Sequence, residues 1–155
     1  MSRRNLVVLH GVAGAVALLT IATFWLSAVT AELVLSTAGV VAVRTTILYA
    51  VPVLVIAMIA TGASGARLAG RSKAPVIVAK RRRMALAAAN GLIVLVPSAV
   101  FLGLRAQADQ FAAPFALVQI VELAAGVVNI VLLALNMKAG MAMRARRVRA
   151  EKVVT

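Results

Sequence analysis

The stretch APFALVQIVELAAGVVNIVLLALNM, residues 113–137, decides the fold. It contains one charged side chain, Glu122. At ~1.5 Å per residue it exceeds the ~20 residues that a helix needs to cross the hydrocarbon of a bilayer. Gln119, Glu122, Gly126, Asn129, Leu133, Asn136 and Gly140 follow one another at alternating steps of three and four. Such steps put them in one stripe along one helix face. Hydrocarbon offers no hydrogen bonds to an amide or a carboxylate, so this face must turn toward protein. The stretch therefore reads as a central helix of a membrane bundle, with Asn129 at the middle of its polar stripe.

Three further apolar runs share this character, and together they predict an all-α, antiparallel bundle of four transmembrane helices with spans at 6–29, 42–63, 84–104 and 113–137. The chain reads as one transmembrane domain, with a basic loop at 64–83 and a basic tail at 138–155. Composition agrees: 63% of the 155 residues are hydrophobic and 14% charged, against about 25% charged in soluble domains. The mean hydropathy is +1.03. The first run is far longer than the ~7–15 apolar residues of a cleaved signal, so it reads as a span, although Val29-Thr30-Ala31 resembles a cleavage site.

Charge placement sets the expected orientation. Of the 17 Lys and Arg residues, Arg3 and Arg4 precede the first span. Arg67, Arg71, Lys73, Lys80, Arg81, Arg82 and Arg83 lie between spans two and three. Lys138, Arg144, Arg146, Arg147, Arg149 and Lys152 follow span four, and only Arg44 and Arg105 fall on the other side. The positive-inside rule then puts both termini in the cytoplasm (N-in, C-in) of a bacterial-type inner membrane. The basic loop and tail read as contacts for anionic lipid head groups, and the +13 net charge needs no nucleic acid to explain it. The six aromatics (Phe24, Trp25, Tyr49, Phe101, Phe111, Phe115) all fall in the outer half and read as one interfacial belt.

Two groups of residues carry candidate chemistry. Glu122, at outer-leaflet depth, needs a proton or a cation, and Arg44 is the nearest cation at that depth, with Gln119 beside Glu122 and Glu32 at the end of span one competing for the arginine. They read as a polar clamp or as the working pair of a small transporter. His10, the only histidine, lies at inner-leaflet depth with Met58, Asn90, Asn136 and Met137. Gly11 and Gly14 would leave room there for a flat ligand. This layer is the candidate haem b site, with His10 on the iron and the second position held by a methionine, by a partner chain's histidine or by nothing; the simpler expectation is that His10 hydrogen-bonds Asn90 or Asn136. A stripe in span one, Ala13, Ala17, Thr20, Thr23, Ser27 and Thr30, is expected to face span four. Pro52 and Pro97 each free a carbonyl and permit a kink.

A faint repeat aligns His10-Gly11 with Asn90-Gly91 and residues 44–65 with 119–140, as in a parallel two-plus-two arrangement. The absence of cysteine excludes disulfides and thiolate metal sites, and no HExxH, GxSxG, Walker A or dinucleotide fingerprint occurs. Three functional readings stand: electron transfer through haem b, a scaffold or accessory subunit with a structural polar core, and a transporter using Glu122 and Arg44. Small-residue faces favour a homo-oligomer or a larger membrane complex.

Overall fold

A computed structural model describes the backbone of residues 2–153 and the side chains of residues 2–145 and Arg149. The basic side chains expected at Arg146, Arg147 and Lys152 lie outside the described residues, as does Met1. The chain forms four long helices: α1 (Arg3–Val34), α2 (Thr37–Ala69), α3 (Pro75–Gln107) and α4 (Ala113–Val153). Each contains a window long and apolar enough to cross a membrane, and there is no strand among the described residues.

Local chemistry accounts for the helix ends. Ser2 caps α1 by accepting from Asn5 N–H at 3.2 Å, and Ser36 caps α2 by accepting from Gly39 N–H. Pro75 opens α3, where its missing N–H costs nothing. Gly70, at φ 49°, ends α2 in a conformation that a Cβ would resist. The turn after α3 uses Asp109 at φ 52°, which a short polar side chain tolerates better than a bulky one.

The helices outrun the apolar runs. The segment 64–83, read as a loop, is helical except for Gly70–Ala74, and the basic tail continues α4 to Val153. Hydropathy marks where lipid can be, whereas Ala, Arg and Lys hold a helix in water as readily as Leu does in lipid. At ~1.5 Å per residue the first three helices reach about 50 Å and α4 about 60 Å, well beyond the ~30 Å of a hydrocarbon core.

Short connections make chain neighbours antiparallel. His10, near the start of α1, accordingly meets Thr61 and Ser64 near the end of α2. The helices stand at the corners of a square: α1 packs on α2 and α4, and α3 packs on α2 and α4. The backbones on the diagonals, α1 with α3 and α2 with α4, do not approach each other. No helix is central, and α4 is one corner among four. Its polar stripe still faces inward. Gly126, Asn129 and Leu133 are buried, while Leu117, Ile120, Val127, Val128 and Val131 point outward.

Two expectations about helix faces are corrected. In α1 the buried residues are Ala13, Ala17, Ile21, Ala28 and Ala31; Thr23 and Thr30 are exposed. Ser27 donates to Thr23 O at 2.8 Å in its own helix, so this hydroxyl needs no neighbour and α1 is free to turn its alanines and Ile21 inward. The aromatic residues also divide. Tyr49 and Phe111 are exposed and Phe24, Trp25 and Phe101 half-buried, but Phe115 is buried and so belongs to the interior rather than to a lipid-facing belt.

The two prolines act differently. Residues 91–95 of α3 form a π-helical turn in which Val96 N–H donates to Gly91 O, five residues back. Pro97, two residues past the turn, has no N–H and crowds the carbonyl four residues before it, so wider spacing relieves α3 there. Around Pro52, α2 stays α-helical.

Candidate functional site

The interior polar residues form ties between helices at successive depths. At the far end from the basic loop, the Arg44 guanidinium donates to Glu122 Oε2 and, at 2.9 Å, to Gln119 Oε1. Arg44 is 1% exposed and the Glu122 side chain 12%. The guanidinium carbon lies 5.9 Å from the centre of the Phe115 ring. With neighbouring axes about 8–10 Å apart, the diagonal of a square bundle is roughly 11–14 Å. Only a long side chain can bridge α2 and α4 across it. The planar fork of Arg also holds two acceptors at once, leaving its Nε as a buried donor without a partner.

One level nearer the basic loop, Trp25 Nε1 donates to Leu123 O at 3.0 Å and ties α1 to α4. The ring fits because residue 126 is glycine: a Cβ there would come 2.8 Å from Trp25 Cδ1. Beside this tie, a small cavity is lined by Ile21, Phe24, Trp25, Val51, Leu95 and Glu122 among others.

At mid-height, Asn90 donates to Asn129 Oδ1 at 2.8 Å and to Ala125 O at 2.9 Å, while Asn129 donates to Ala87 O at 3.2 Å. Asn129 is wholly buried. This reciprocal pair locks α3 to α4 beside the π turn. The Met58 thioether of α2 lies against Gly91 at the same level.

The basic end holds His10. Its Nδ1 lies 3.1 Å from Thr61 O and 3.2 Å from Ser64 Oγ. A carbonyl only accepts, so Nδ1 carries the proton in this bond and Nε2 is the nitrogen left over. Gly65 makes the approach possible, since a Cβ there would stand 2.9 Å from His10 Cε1. Asn136 donates to Lys80 O at 3.3 Å, a second tie between α3 and α4.

The predicted layer is thus divided. His10 bonds α2, at Thr61 O and Ser64 Oγ, rather than Asn90 or Asn136. Met58 reaches toward Gly91 and is not among the hydrogen-bond partners of His10. Gly11 is exposed with open space beside it, and Gly14 faces Thr61, so neither glycine opens a slot at the imidazole. Met137 is half-buried next to Asn136. The repeat is not reproduced in the contacts: it would pair Asn90 with Asn136, as His10 pairs with Thr61, but Asn136 meets Lys80 instead. Sequence reading missed Trp25, Thr61 and Ser64 as tie-forming residues. The one available signal was Gly126, the only glycine in the middle of the α4 stripe.

Comparison of the chain with protein families, with curated proteins and with solved structures finds no match.

Proposed function

We propose that this chain is a small multi-pass protein of a bacterial-type inner membrane, with both termini cytoplasmic, acting as a scaffold or accessory subunit whose polar core is structural. The observation that carries this reading is the engagement of Arg44, Glu122, Gln119, Asn90, Asn129 and His10 in bonds that join one helix to another. Such bonds are worth about 0.6 kcal/mol on average in membrane proteins, whereas removing one partner of a buried ion pair costs about 3–5 kcal/mol because the other charge is stranded. They are well suited to holding helix register while the outer faces meet lipid or partner helices. The basic loop and tail would rest on anionic head groups.

The test is Glu122→Gln in full-length protein. An amide keeps an acceptor for Arg44 but cannot cycle a proton. A structural tie predicts a lowered unfolding midpoint in detergent, by less than Glu122→Leu lowers it because the amide still accepts from Arg44, and no proton flux in proteoliposomes from either form. Wild-type flux that the substitution abolishes would establish the transporter reading in its place.

A second reading keeps haem b at His10, and one observation favours it. An imidazole whose Nδ1–H is held by a carbonyl presents Nε2 as a lone-pair donor, which is how ligating histidines are commonly oriented. This reading predicts a Soret band that shifts on dithionite reduction and is lost in His10→Ala. Colourless protein from a haem-replete host contradicts it.

A further inference from the structure

Two spaces in the bundle share a wall. The interior cavity beside the Trp25 tie has a volume of about 50 Å³, and a groove of about 290 Å³ runs along the outer surface between α1 and α2. Thr23, Ser27, Ala42 and Thr46 line the groove alone, whereas Phe24 and Ile47 line both spaces. These two side chains are therefore the partition between the interior and a surface that the membrane reading turns toward lipid. Ile47 is buried and, being β-branched, stiff at its first torsion. Phe24 is half-buried and is the part of the partition with room to turn.

Behind the partition stands a carboxylate. Glu122 lines the cavity, and its Oε2 accepts from Arg44. Among the described residues Oε1 accepts no hydrogen bond, and it is not sealed in by neighbouring atoms, so it opens on space, and the cavity is the space that Glu122 lines. Within hydrocarbon such an opening brings no water, and an acceptor without a donor is costly there. The charge is already balanced: Arg44 would repel a cation and Glu122 an anion. The rest of the lining, Ile21, Val51 and Leu95 among it, is apolar. What suits this cavity is an uncharged head that donates one hydrogen bond, and a hydroxyl is the smallest such head. At ~10–15 Å³ for each water-sized group, the volume holds about four heavy atoms. In the groove Ser27 donates to Thr23 O and Thr46 to Ala42 O, so these hydroxyls ask no polar partner of a ligand and leave an apolar bed for a chain.

We propose that cavity and groove are one binding site for an uncharged amphiphile of the long-chain alcohol type. Its hydroxyl donates to Glu122 Oε1, its chain lies in the groove, and Phe24 turns aside to admit it from the surrounding lipid. The site goes beyond the scaffold reading and leaves the Arg44 tie intact, because it uses the carboxylate oxygen that Arg44 does not. Its failure would leave the outcome of the Glu122→Gln flux test standing.

Trp25, the only tryptophan, also lines the cavity and serves as the reporter. Full-length protein in phosphatidylcholine nanodiscs is titrated with 2-bromodecan-1-ol, whose bromine sits beside the hydroxyl and quenches an indole on contact. The control is 2-bromodecane at equal mole fraction in the lipid. The alcohol should give saturable quenching above a linear collisional background, and the bromoalkane the linear background alone. The double variant Arg44→Met with Glu122→Leu removes the acceptor without stranding a charge, and should weaken the apparent affinity about tenfold, the worth of one hydrogen bond to a charged group. Thr46→Phe, at an exposed position that the fold does not need, fills the groove and should shift the curve to higher mole fraction. Phe24→Ala should shorten the time to reach the plateau in stopped flow. Saturation by the bromoalkane as well, no saturable quenching by the alcohol, or a curve from either the double variant or Thr46→Phe that superposes on that of the parent chain overturns the site. An unchanged rate in Phe24→Ala overturns the part given to that ring.

Discussion

At the residue scale, glycines separate positions where helices touch from positions that face outward. A Cβ on Gly103 would lie 2.8 Å from Leu48 Cβ, an atom fixed to the α2 backbone, so Gly103→Ala must push α2 and α3 apart. Overpacking of this kind costs about 1–3 kcal/mol. Gly62 has open space beside it, and alanine there should be neutral or stabilise by up to about 1 kcal/mol through helix propensity. Unfolding midpoints of the two variants should move in opposite directions or differ by that margin; equal midpoints would show that α2 and α3 do not meet at Leu48. Some of this scale was legible in the sequence. Counting depth puts Arg44 level with Gln119 and Glu122, because charge in hydrocarbon leaves few partners to choose from, and the guanidinium does reach both. The partner of His10 was not legible, because a backbone carbonyl such as Thr61 O is present at every position and leaves no mark in the residue pattern.

At the element scale, the number of helices and their alternation follow from four apolar runs and short connections, whereas their ends and faces required the structure. The α4 stripe was legible because amides and a carboxylate have no alternative in an apolar medium. The α1 stripe misled, because Ser27 satisfies its hydroxyl on Thr23 O and is then indifferent to which side it faces. Neither hydropathy nor the presence of a mid-helix proline distinguishes the two positions. Pro97 sits after a π turn and Pro52 within an α-helix. The difference lies in the surroundings: Gly91, at the head of the π turn, is buried between Met58 and Asn129, so the backbone there is set by packing on two other helices.

At the scale of the whole molecule, a square bundle with no backbone contact on its diagonals needs something to stop it shearing into a rhombus. Arg44 is the tie that crosses a diagonal, from α2 to α4, and the others brace edges. The proposed orientation rests on charge alone: by the spans read from the sequence, fifteen Lys and Arg residues fall on one side and two on the other. Reporter fusions after Lys73 and at the C-terminus should read cytoplasmic and one at Gln107 periplasmic; a periplasmic reading after Lys73 reverses the assignment. The central claim, that the interior charges are a tie between opposite corners, is tested most directly by a double-substitution cycle of Arg44→Met and Glu122→Leu, read as unfolding free energy in mixed micelles. Each single change strands a buried charge and should cost about 3–5 kcal/mol, while the double removes both charges and should recover at least about 2 kcal/mol of the summed loss. Losses that simply add would contradict the account.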